Sequence, residues 1–265
     1  MPASNLTWKE NLLLGTLGGS MEAALHMPII TLKICQQDRK PFPKTIPGWY
    51  RGLFINVTSI APITAIQFLT NGIIENRIIH ITQKPLETKD KILSAASAGA
   101  ISSLLYSPAE LLIIQQQQRS LSLNKTISLI RTKYGSKYLM RGLGPCMTRE
   151  SIYTAGYMAY SPIIEKQFFK IPLFENKPIL AKVSGCCISG IAASLITHPI
   201  DTAKTRIQSD IAGSKYKGLA STVMNIYHEG GIKTLYKGGI ARTTRACGAF
   251  LIFNLVGEVY KNMKI

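Results

Sequence analysis

The amino-acid sequence predicts an all-α membrane protein with six transmembrane helices, built from three helix-loop-helix repeats. Hydrophobic residues make up 46% of the 265 residues and charged residues only 17%, a low share of charge for a soluble protein. An apolar run that reaches a proline occurs three times along the chain. Each run is followed by a polar stretch, a basic residue next to a glycine, and a second apolar segment. Each unit is therefore expected to form a helix, a polar connection and a second helix.

The three units agree in register well beyond their prolines. A glutamine stands nine residues after each proline, and a basic residue precedes a glycine further on. The prolines, which are expected to kink their helices, are Pro28, Pro108 and Pro199. The glutamines are Gln37, Gln117 and Gln208, and the basic-glycine pairs are Arg51-Gly52, Arg141-Gly142 and Lys237-Gly238. We therefore divide the chain into repeats at residues 1–82, 83–173 and 174–265, which form one integral membrane domain.

Segment lengths and loop charges predict how the helices cross a membrane. Residues 53–74 carry no charge and are long enough to cross about 30 Å of hydrocarbon. Segments 151–164 and 246–257 are shorter and flanked by charges, as expected for helices with one face on a water-filled cavity. The loops inside the repeats hold 14 Lys and Arg, against 8 in the loops between repeats. By the positive-inside rule, both termini are expected on the side away from the intra-repeat loops.

The excess of basic residues, a formal net charge of +17, fits three kinds of partner: nucleic acid, anionic lipid or an anionic solute. A soluble nucleic-acid-binding protein is the least consistent of these, because the basic residues concentrate in loops and six apolar runs would stay exposed. No nucleophile-base pattern, phosphate-binding loop or metal motif occurs, and the five cysteines lack metal-ligand spacing. We therefore predict no enzyme activity, no metal and no cofactor.

The third repeat carries a complete motif of the form Px[DE]xx[KR]x[KR], followed by an acidic-glycine pair and an aromatic-basic-glycine triplet. Its residues are Pro199, Asp201, Lys204, Arg206, Glu229-Gly230 and Tyr236-Lys237-Gly238. With its triple recurrence, the chain resembles the mitochondrial carrier family over nearly its full length. The resemblance implies a three-fold pseudosymmetric six-helix bundle, monomeric, in the mitochondrial inner membrane with both termini toward the intermembrane space. It also implies alternating access to one central site, and cardiolipin bound near the aromatic-basic-glycine triplets.

The resemblance also implies a matrix-side gate. In this gate the acidic position in the first helix of each repeat pairs with the basic position in the first helix of the following repeat, and the third repeat pairs back to the first. The expected pairs are Glu110 with Lys204, Asp201 with Lys33, and Ile30 with Ile113. In the isoleucine pair both charged partners are replaced together, which leaves no uncompensated buried charge. The three repeated glutamines, Gln37, Gln117 and Gln208, are expected to brace the ion pairs by hydrogen bonds.

A substrate site is expected near the middle of the membrane, apart from the gate, where several helices contribute polar side chains. By the family's contact positions these are Arg149, Glu150, Gln67, Asn71, Arg242 and Arg245, to which the first helix adds Glu22. Two guanidiniums suit a carboxylate or phosphate, and Glu150 beside Arg149 suits an ammonium group, as in carriers of amino acids and related zwitterions. The alternative is an anionic solute, an oxo or carboxylic acid or a nucleotide, with Glu150 as an internal ion pair.

Overall fold

Long helices alternate with short ones along the part of the chain that the computed structural model describes, residues 8–168, 170–171, 174 and 178–248. No strand occurs among these residues. The helices are α1 (Trp8–Asp38), α2 (Ile46–Trp49), α3 (Leu53–Thr82), α4 (Thr88–Arg119), α5 (Leu123–Lys133), α6 (Leu143–Ala155), α7 (Ser161–Phe168), α8 (Pro178–Ser209), α9 (Leu219–Leu235) and α10 (239–248). A π-helical turn over Gly156–Tyr160 joins α6 to α7, so that the fourth long stretch is continuous but not regular.

Three of the described helical segments are long and apolar enough to cross a membrane: Ile46–Thr82, Thr88–Arg119 and Ile179–Ser209. Between them they contain α3, α4 and most of α8. The predicted sixth span, 246–257, lies for the most part outside the described residues. The all-α class is confirmed, while six membrane spans and the repeat boundaries stay predictions.

The three repeated prolines lie inside long helices, Pro28 in α1, Pro108 in α4 and Pro199 in α8. Proline has no amide hydrogen, so the helix loses one hydrogen bond at the same level in each repeat. The polar residues of the predicted gate follow on the next turns, and they are buried rather than solvated. Asp201 and Lys204 have no exposed surface, although they carry charge.

The glycine of each basic-glycine pair immediately precedes the second long helical segment of its repeat. These segments begin with α3, α6 and α10. Gly52, Gly142 and Gly238 have φ of 93°, 82° and 83°, in the left-handed region that disfavours side chains. A Cβ at Gly142 would lie 2.8 Å from Cγ of Gln208, and one at Gly52 would lie 2.9 Å from Cγ2 of Ile113. The backbone conformation and the close packing therefore both require glycine at these two positions.

Helices α4 and α6 approach each other closely at Gly99. A Cβ at this residue would lie 2.7 Å from the carbonyl carbon of Glu150, so only glycine allows the two backbones to come this near. Gly99 lies 11 residues before Glu110 on α4, about 16 Å along the helix axis. Arg149 therefore reaches Glu110 by extending its long side chain along the bundle toward the predicted gate.

Candidate functional site

The structure brings together both charged pairs that the family resemblance implies. Nζ of Lys33 on α1 lies 2.8 Å from Oδ2 of Asp201 on α8. Nζ of Lys204 on α8 contacts Oε2 of Glu110 on α4. All four side chains are buried, so their charges compensate one another in a medium where an unpaired charge is costly. Their role as a gate stays a prediction.

The isoleucines of the third predicted pair lie in one apolar cluster. Ile30 of α1 and Ile113 of α4 are buried with Met27, Ile34 and Ile55 among others. The first and second repeats therefore meet through an apolar contact and through the longer approach of Lys33 to Glu110, 3.9 Å, whereas the third repeat meets each of the others through a closer ion pair.

Arg149 belongs to the ion network of the predicted gate, which corrects the expectation that the substrate residues lie apart from it. Its Nη1 lies 3.3 Å from Oδ1 of Asp201, its Nη2 lies 3.5 Å from Oε2 of Glu110, and Nη2 also contacts Oε1 of its neighbour Glu150. A guanidinium reaches three carboxylates at once because its donors fan out in one plane. Arg149 thus connects Glu150 to both ion pairs.

Tyr106 is a member of this site that the sequence analysis did not identify. Its ring lies beneath two cations, with Cζ of Arg149 4.9 Å and Nζ of Lys204 5.4 Å from the ring centroid. Such contacts stabilise cations that have left water. The signal was present in the spacing, because Tyr106 precedes Glu110 by four residues and so lies on the same helix face.

Glu22 forms a second, smaller cluster with α10. Its Oε1 accepts a hydrogen bond from Nε of Arg245 at 3.0 Å and lies 3.5 Å from Nδ1 of His26. Arg242, one turn earlier on α10, donates from Nη2 to Oγ1 of Thr197 at 2.6 Å, and its Nη1 lies 3.8 Å from Oδ2 of Asp201. The two arginines that the sequence groups together therefore serve different acids, and only Arg242 reaches the central network.

Gln67 and Asn71 both lie on α3. Gln67 is on the side of α3 that packs against α4. Nε2 of Gln67 donates to Oγ of Ser102 at 3.1 Å, which joins the two helices. Oδ1 of Asn71 is buried without a hydrogen-bond partner among the described residues. Gln67 therefore connects two helices. The unpaired Oδ1 of Asn71 is an acceptor that a ligand or a water molecule can use.

The repeated glutamines connect neighbouring repeats in a cycle. Nε2 of Gln37 donates to Oδ2 of Asp201 at 3.0 Å, so the first glutamine contacts an ion pair as predicted. Gln117 instead donates to Oγ1 of Thr31 at 2.8 Å, and Gln208 donates to the carbonyl of Ser107 at 3.2 Å. Among these hydrogen bonds, Gln37 contacts an ion pair, whereas Gln117 and Gln208 do not. Each of the three glutamines connects two helices from different repeats.

The central network holds four basic and three acidic side chains, which gives it a formal charge of +1. The basic residues are Lys33, Arg149, Lys204 and Arg242, and the acidic residues are Glu110, Glu150 and Asp201. Nε of Arg149 and Nη1 of Arg242 are buried without a hydrogen bond. Buried donors without acceptors are costly, so the network is suited to receive an acceptor group from a ligand. In the part of the chain that the structure describes, no three His, Cys, Asp or Glu side chains are grouped for a metal ion.

Comparison with known proteins supports the motif assignment. The family model described as "Mitochondrial carrier protein" matches residues 175–265. The mitochondrial aspartate-glutamate transporter of Saccharomyces cerevisiae is 27% identical over 95% of this chain and 31% of its own length. The probable chloroplastic S-adenosylmethionine carrier 2 of Arabidopsis thaliana is 26% identical over 86% of this chain and 67% of its own. The mitochondrial 2-oxodicarboxylate carrier 1 of Saccharomyces cerevisiae is 28% identical over 81% and 73%.

The likeness to these proteins extends over most of this chain, although the chain spans only about a third of the length of two of the curated relatives it matches. The family model covers the third repeat, in which the motif is complete. The similar relatives extend the likeness through the first two repeats, where isoleucine replaces one acidic and one basic position. The chain is therefore similar to the mitochondrial carrier family, by the family model over its third repeat and by these relatives over most of its length.

Proposed function

We propose that this protein carries a small metabolite across the mitochondrial inner membrane by alternating access, and that the solute is amino-acid-like or zwitterionic. The observation that carries the proposal is the position of Arg149, which contacts Glu150 and both ion pairs of the predicted gate. A solute that binds Arg149 therefore acts directly on Glu110 and Asp201, the acids of the two ion pairs. Transport rather than catalysis is also the activity named for the carrier proteins that the chain resembles.

A solute carboxylate competes with the protein's own carboxylates for Arg149. When it binds Nη1 or Nη2, Arg149 gives up contacts to Asp201 and Glu110, which lie 3.3 and 3.5 Å away. Each ion pair then loses a neighbouring cation that stabilised its acid. Solute binding thus weakens the closed gate through differential contacts, which is what a ligand must do to shift a conformational equilibrium.

A positive group on the solute is favoured by Glu150. Once Arg149 turns to a solute carboxylate, Glu150 loses its only cation among the described contacts. A solute with an ammonium group supplies a replacement, whereas a purely anionic solute leaves a buried carboxylate without a partner, at a cost of about 3–5 kcal/mol. The named solutes of two relatives, aspartate or glutamate and S-adenosylmethionine, combine a carboxylate with positive charge.

An anionic solute is the second candidate, supported by the formal charge of +1 on the central network and by the 2-oxodicarboxylate named for another relative. The two candidates separate at Glu150. If the solute is zwitterionic, Glu150→Gln removes a contact and weakens binding. If the solute is an oxo acid or a nucleotide, the same change removes a repulsive charge and strengthens binding.

The test is a thermal-unfolding screen of the purified protein against amino acids, oxo acids and nucleotides, followed by exchange in proteoliposomes. Ligands that bind the folded state raise the unfolding temperature. We expect a zwitterionic amino acid to stabilise the protein, and Arg149→Lys and Glu150→Gln to abolish the effect. Arg131→Ala, at an exposed arginine of α5, is the control and should keep it. Stabilisation by nucleotides or oxo acids that survives Glu150→Gln would contradict the zwitterion assignment.

The membrane partners and topology remain part of the proposal. Loop charge supports both termini toward the intermembrane space, and family resemblance supports a monomer with bound cardiolipin near the basic-glycine pairs. Exchange of no solute in proteoliposomes, with or without cardiolipin, would refute transport itself.

A further inference from the structure

Three polar side chains meet at the end of the bundle, beyond the ion network. Asp38 of α1, Gln118 of α4 and Ser209 of α8 each stand ten residues after the proline of their helix. Nε2 of Gln118 donates a hydrogen bond to Oδ2 of Asp38 at 2.6 Å and also contacts Oγ of Ser209. We call these three residues the end clasp. None of them belongs to the predicted gate or to the predicted substrate site.

One amide nitrogen in the end clasp joins all three repeats. A glutamine amide carries two N–H donors, and Gln118 uses them on the first and the third repeat. The side chain of Asp38 is 8% exposed, and its only salt-bridge partner among the described residues, Lys40, lies 4.0 Å away, too far for a hydrogen bond. The Ser209 hydroxyl also interacts with this carboxylate. Asp38 is therefore held by neutral groups from the other two repeats.

The preceding turn of α4 holds the Gln118 amide in this orientation. Oε1 of Gln118 faces Nε2 of Gln115 at 3.5 Å, so its nitrogen faces the other two helices. Nε2 of Gln115 also donates to the backbone carbonyls of Gln208 at 2.7 Å and Ser209 at 3.1 Å. Two members of the glutamine run 115–118 thus hold the end of α8.

The acid just outside α8, Asp210, does not take the place of Asp38 in the clasp. It accepts hydrogen bonds from the backbone amides of Ser214, Lys215 and Tyr216. Burial alone would raise the pKa of Asp210, but these bonds outweigh it and hold the pKa below its ordinary value. Asp38 is therefore the carboxylate on which the clasp depends.

Depth along the helices makes the end clasp more sensitive to opening than the ion pairs are. At a rise of about 1.5 Å per residue, the clasp lies about 15 Å past the prolines, whereas the acidic and basic gate positions lie about 3 and about 7.5 Å past them. When the helices bend at their prolines, clasp residues separate about two to five times as far as gate residues. A hydrogen bond is lost beyond a separation of about 3.5 Å, but the attraction of an ion pair falls only with the inverse of distance. The clasp therefore opens before the ion pairs do.

We propose that the end clasp is a latch on the closed end of the bundle, in which Asp38 positions the Gln118 amide and Ser209 is the contact released on opening. The bond to the carboxylate is charge-assisted and the contact with the hydroxyl is not, so the hydroxyl contact is the weaker. The three residues line a cavity of about 250 Å³, from which water can replace the lost contact. Release therefore leaves no buried donor without an acceptor. The proposal rests on the proposed alternating access, because a latch requires an end that opens.

The test measures opening of this end without any solute. Cys146 of α6 has no exposed surface and interacts electrostatically with Lys204 and Arg149 of the ion network. Its labelling by N-ethylmaleimide therefore reports how often the closed end opens. The rate is measured on the full chain in phosphatidylcholine nanodiscs, in a background whose other four cysteines are serine. The unfolding temperature of each variant shows whether it is folded.

Gln118→Glu keeps the size of the side chain but places a carboxylate against Asp38. The repulsion moves the side chain away from its partners, so the labelling rate should rise at least about tenfold, equivalent to about 1.4 kcal/mol. Gln118→Leu removes both donors without adding charge and should raise the rate by a smaller factor, which keeps the test decisive if the charged variant does not fold. Gln167→Glu, the same change at an exposed glutamine of α7, is the matched control and should change nothing.

Asp38→Asn in the Gln118→Glu chain separates hydrogen bonding from packing. The exchange restores one amide and one carboxylate at the two positions, so the labelling rate should return toward that of the unsubstituted chain. A rate that both Gln118 variants leave unchanged, or an increase that Asp38→Asn does not reverse, would overturn the latch. Labelling needs no solute, so the latch stands or falls on this result even where proteoliposomes show no exchange.

Discussion

Reversing the charges of Glu110 and Lys204 tests whether this pair holds the gate closed. Lys204 has no exposed surface and Glu110 is 9% exposed. Glu110→Lys places an ammonium group beside three cations: Lys204, which contacted the original carboxylate, Arg149 at 3.5 Å and Lys33 at 3.9 Å. Lys204→Glu leaves two acids facing each other. Each single reversal should therefore destabilise the closed gate strongly.

The expected size follows from burial. Loss of one partner from a buried pair costs about 3–5 kcal/mol, and 1.4 kcal/mol is a factor of ten in an equilibrium. A penalty of about 3 kcal/mol thus lowers the closed population about a hundredfold, and the exchange rate with it. The double reversal restores attraction between positions 110 and 204, but Arg149 and Lys33 still face the new lysine. We therefore expect a partial recovery of about tenfold over either single reversal.

The assay is solute exchange in proteoliposomes with each variant at equal protein content, using a solute from the thermal screen. Reversal of Lys33 and Asp201 together is the matched comparison. Its recovery should be smaller, because Asp201 also has Arg149 at 3.3 Å, Arg242 at 3.8 Å and the Gln37 amide at 3.0 Å. A double Glu110/Lys204 variant that folds, as judged by its unfolding temperature, yet exchanges no faster than the single variants would refute the pairing as a gate.

Three further predictions concern stability. Gly142→Ala should lower the unfolding temperature more than Gly238→Ala. Both glycines have φ near +82°, but the added Cβ would lie 2.8 Å from the nearest side-chain carbon at position 142 and 3.4 Å from the nearest atom at position 238. Equal losses would contradict the packing argument. Ile113→Lys alone should destabilise the protein by burying an unpaired charge, and Ile30→Glu in the same chain should restore part of the unfolding temperature; no recovery would mean that the two positions do not pair. The pKa of Asp210 is lowered, so its contribution to stability is complete above its ordinary value of 3.8 and is lost as pH falls through the lowered pKa. Unfolding temperature measured from pH 6 to pH 3 should accordingly fall less steeply in Asp210→Asn, and identical slopes would contradict this assignment.

The repeat register located the motif positions, and the family resemblance implied which of them pair. Lys33 meets Asp201 and Lys204 meets Glu110 because residues at equivalent depths in equivalent helices face one another across the bundle. The same register located Gly52, Gly142 and Gly238 as markers. It did not explain them, because a left-handed φ and a 2.8 Å approach are properties of the folded backbone.

The contacts of Arg149 were not accessible from the sequence. Its position on α6 was identified, but its three partners depend on how closely α4 and α6 approach at Gly99 and on a long side chain that can extend toward either end of the bundle. The glutamines show the same limit. Their nine-residue offset was visible, but Gln117 and Gln208 take partners on neighbouring helices that no offset encodes.

The apolar contact between α1 and α4 bears on the direction in which the bundle opens. Helix α8 supplies one partner to each of the two closer ion pairs, Asp201 to α1 and Lys204 to α4. Between α1 and α4 the isoleucines Ile30 and Ile113 lie in one apolar cluster, and the only approach of opposite charges among the described residues is that of Lys33 to Glu110, at 3.9 Å. An ion pair weakens as soon as its charges separate, whereas an apolar surface stays in contact while it slides. We therefore expect α8 to move away from a pair of helices that remain together. Opening would then proceed by displacement of one repeat against two, rather than by equal outward movement of all three.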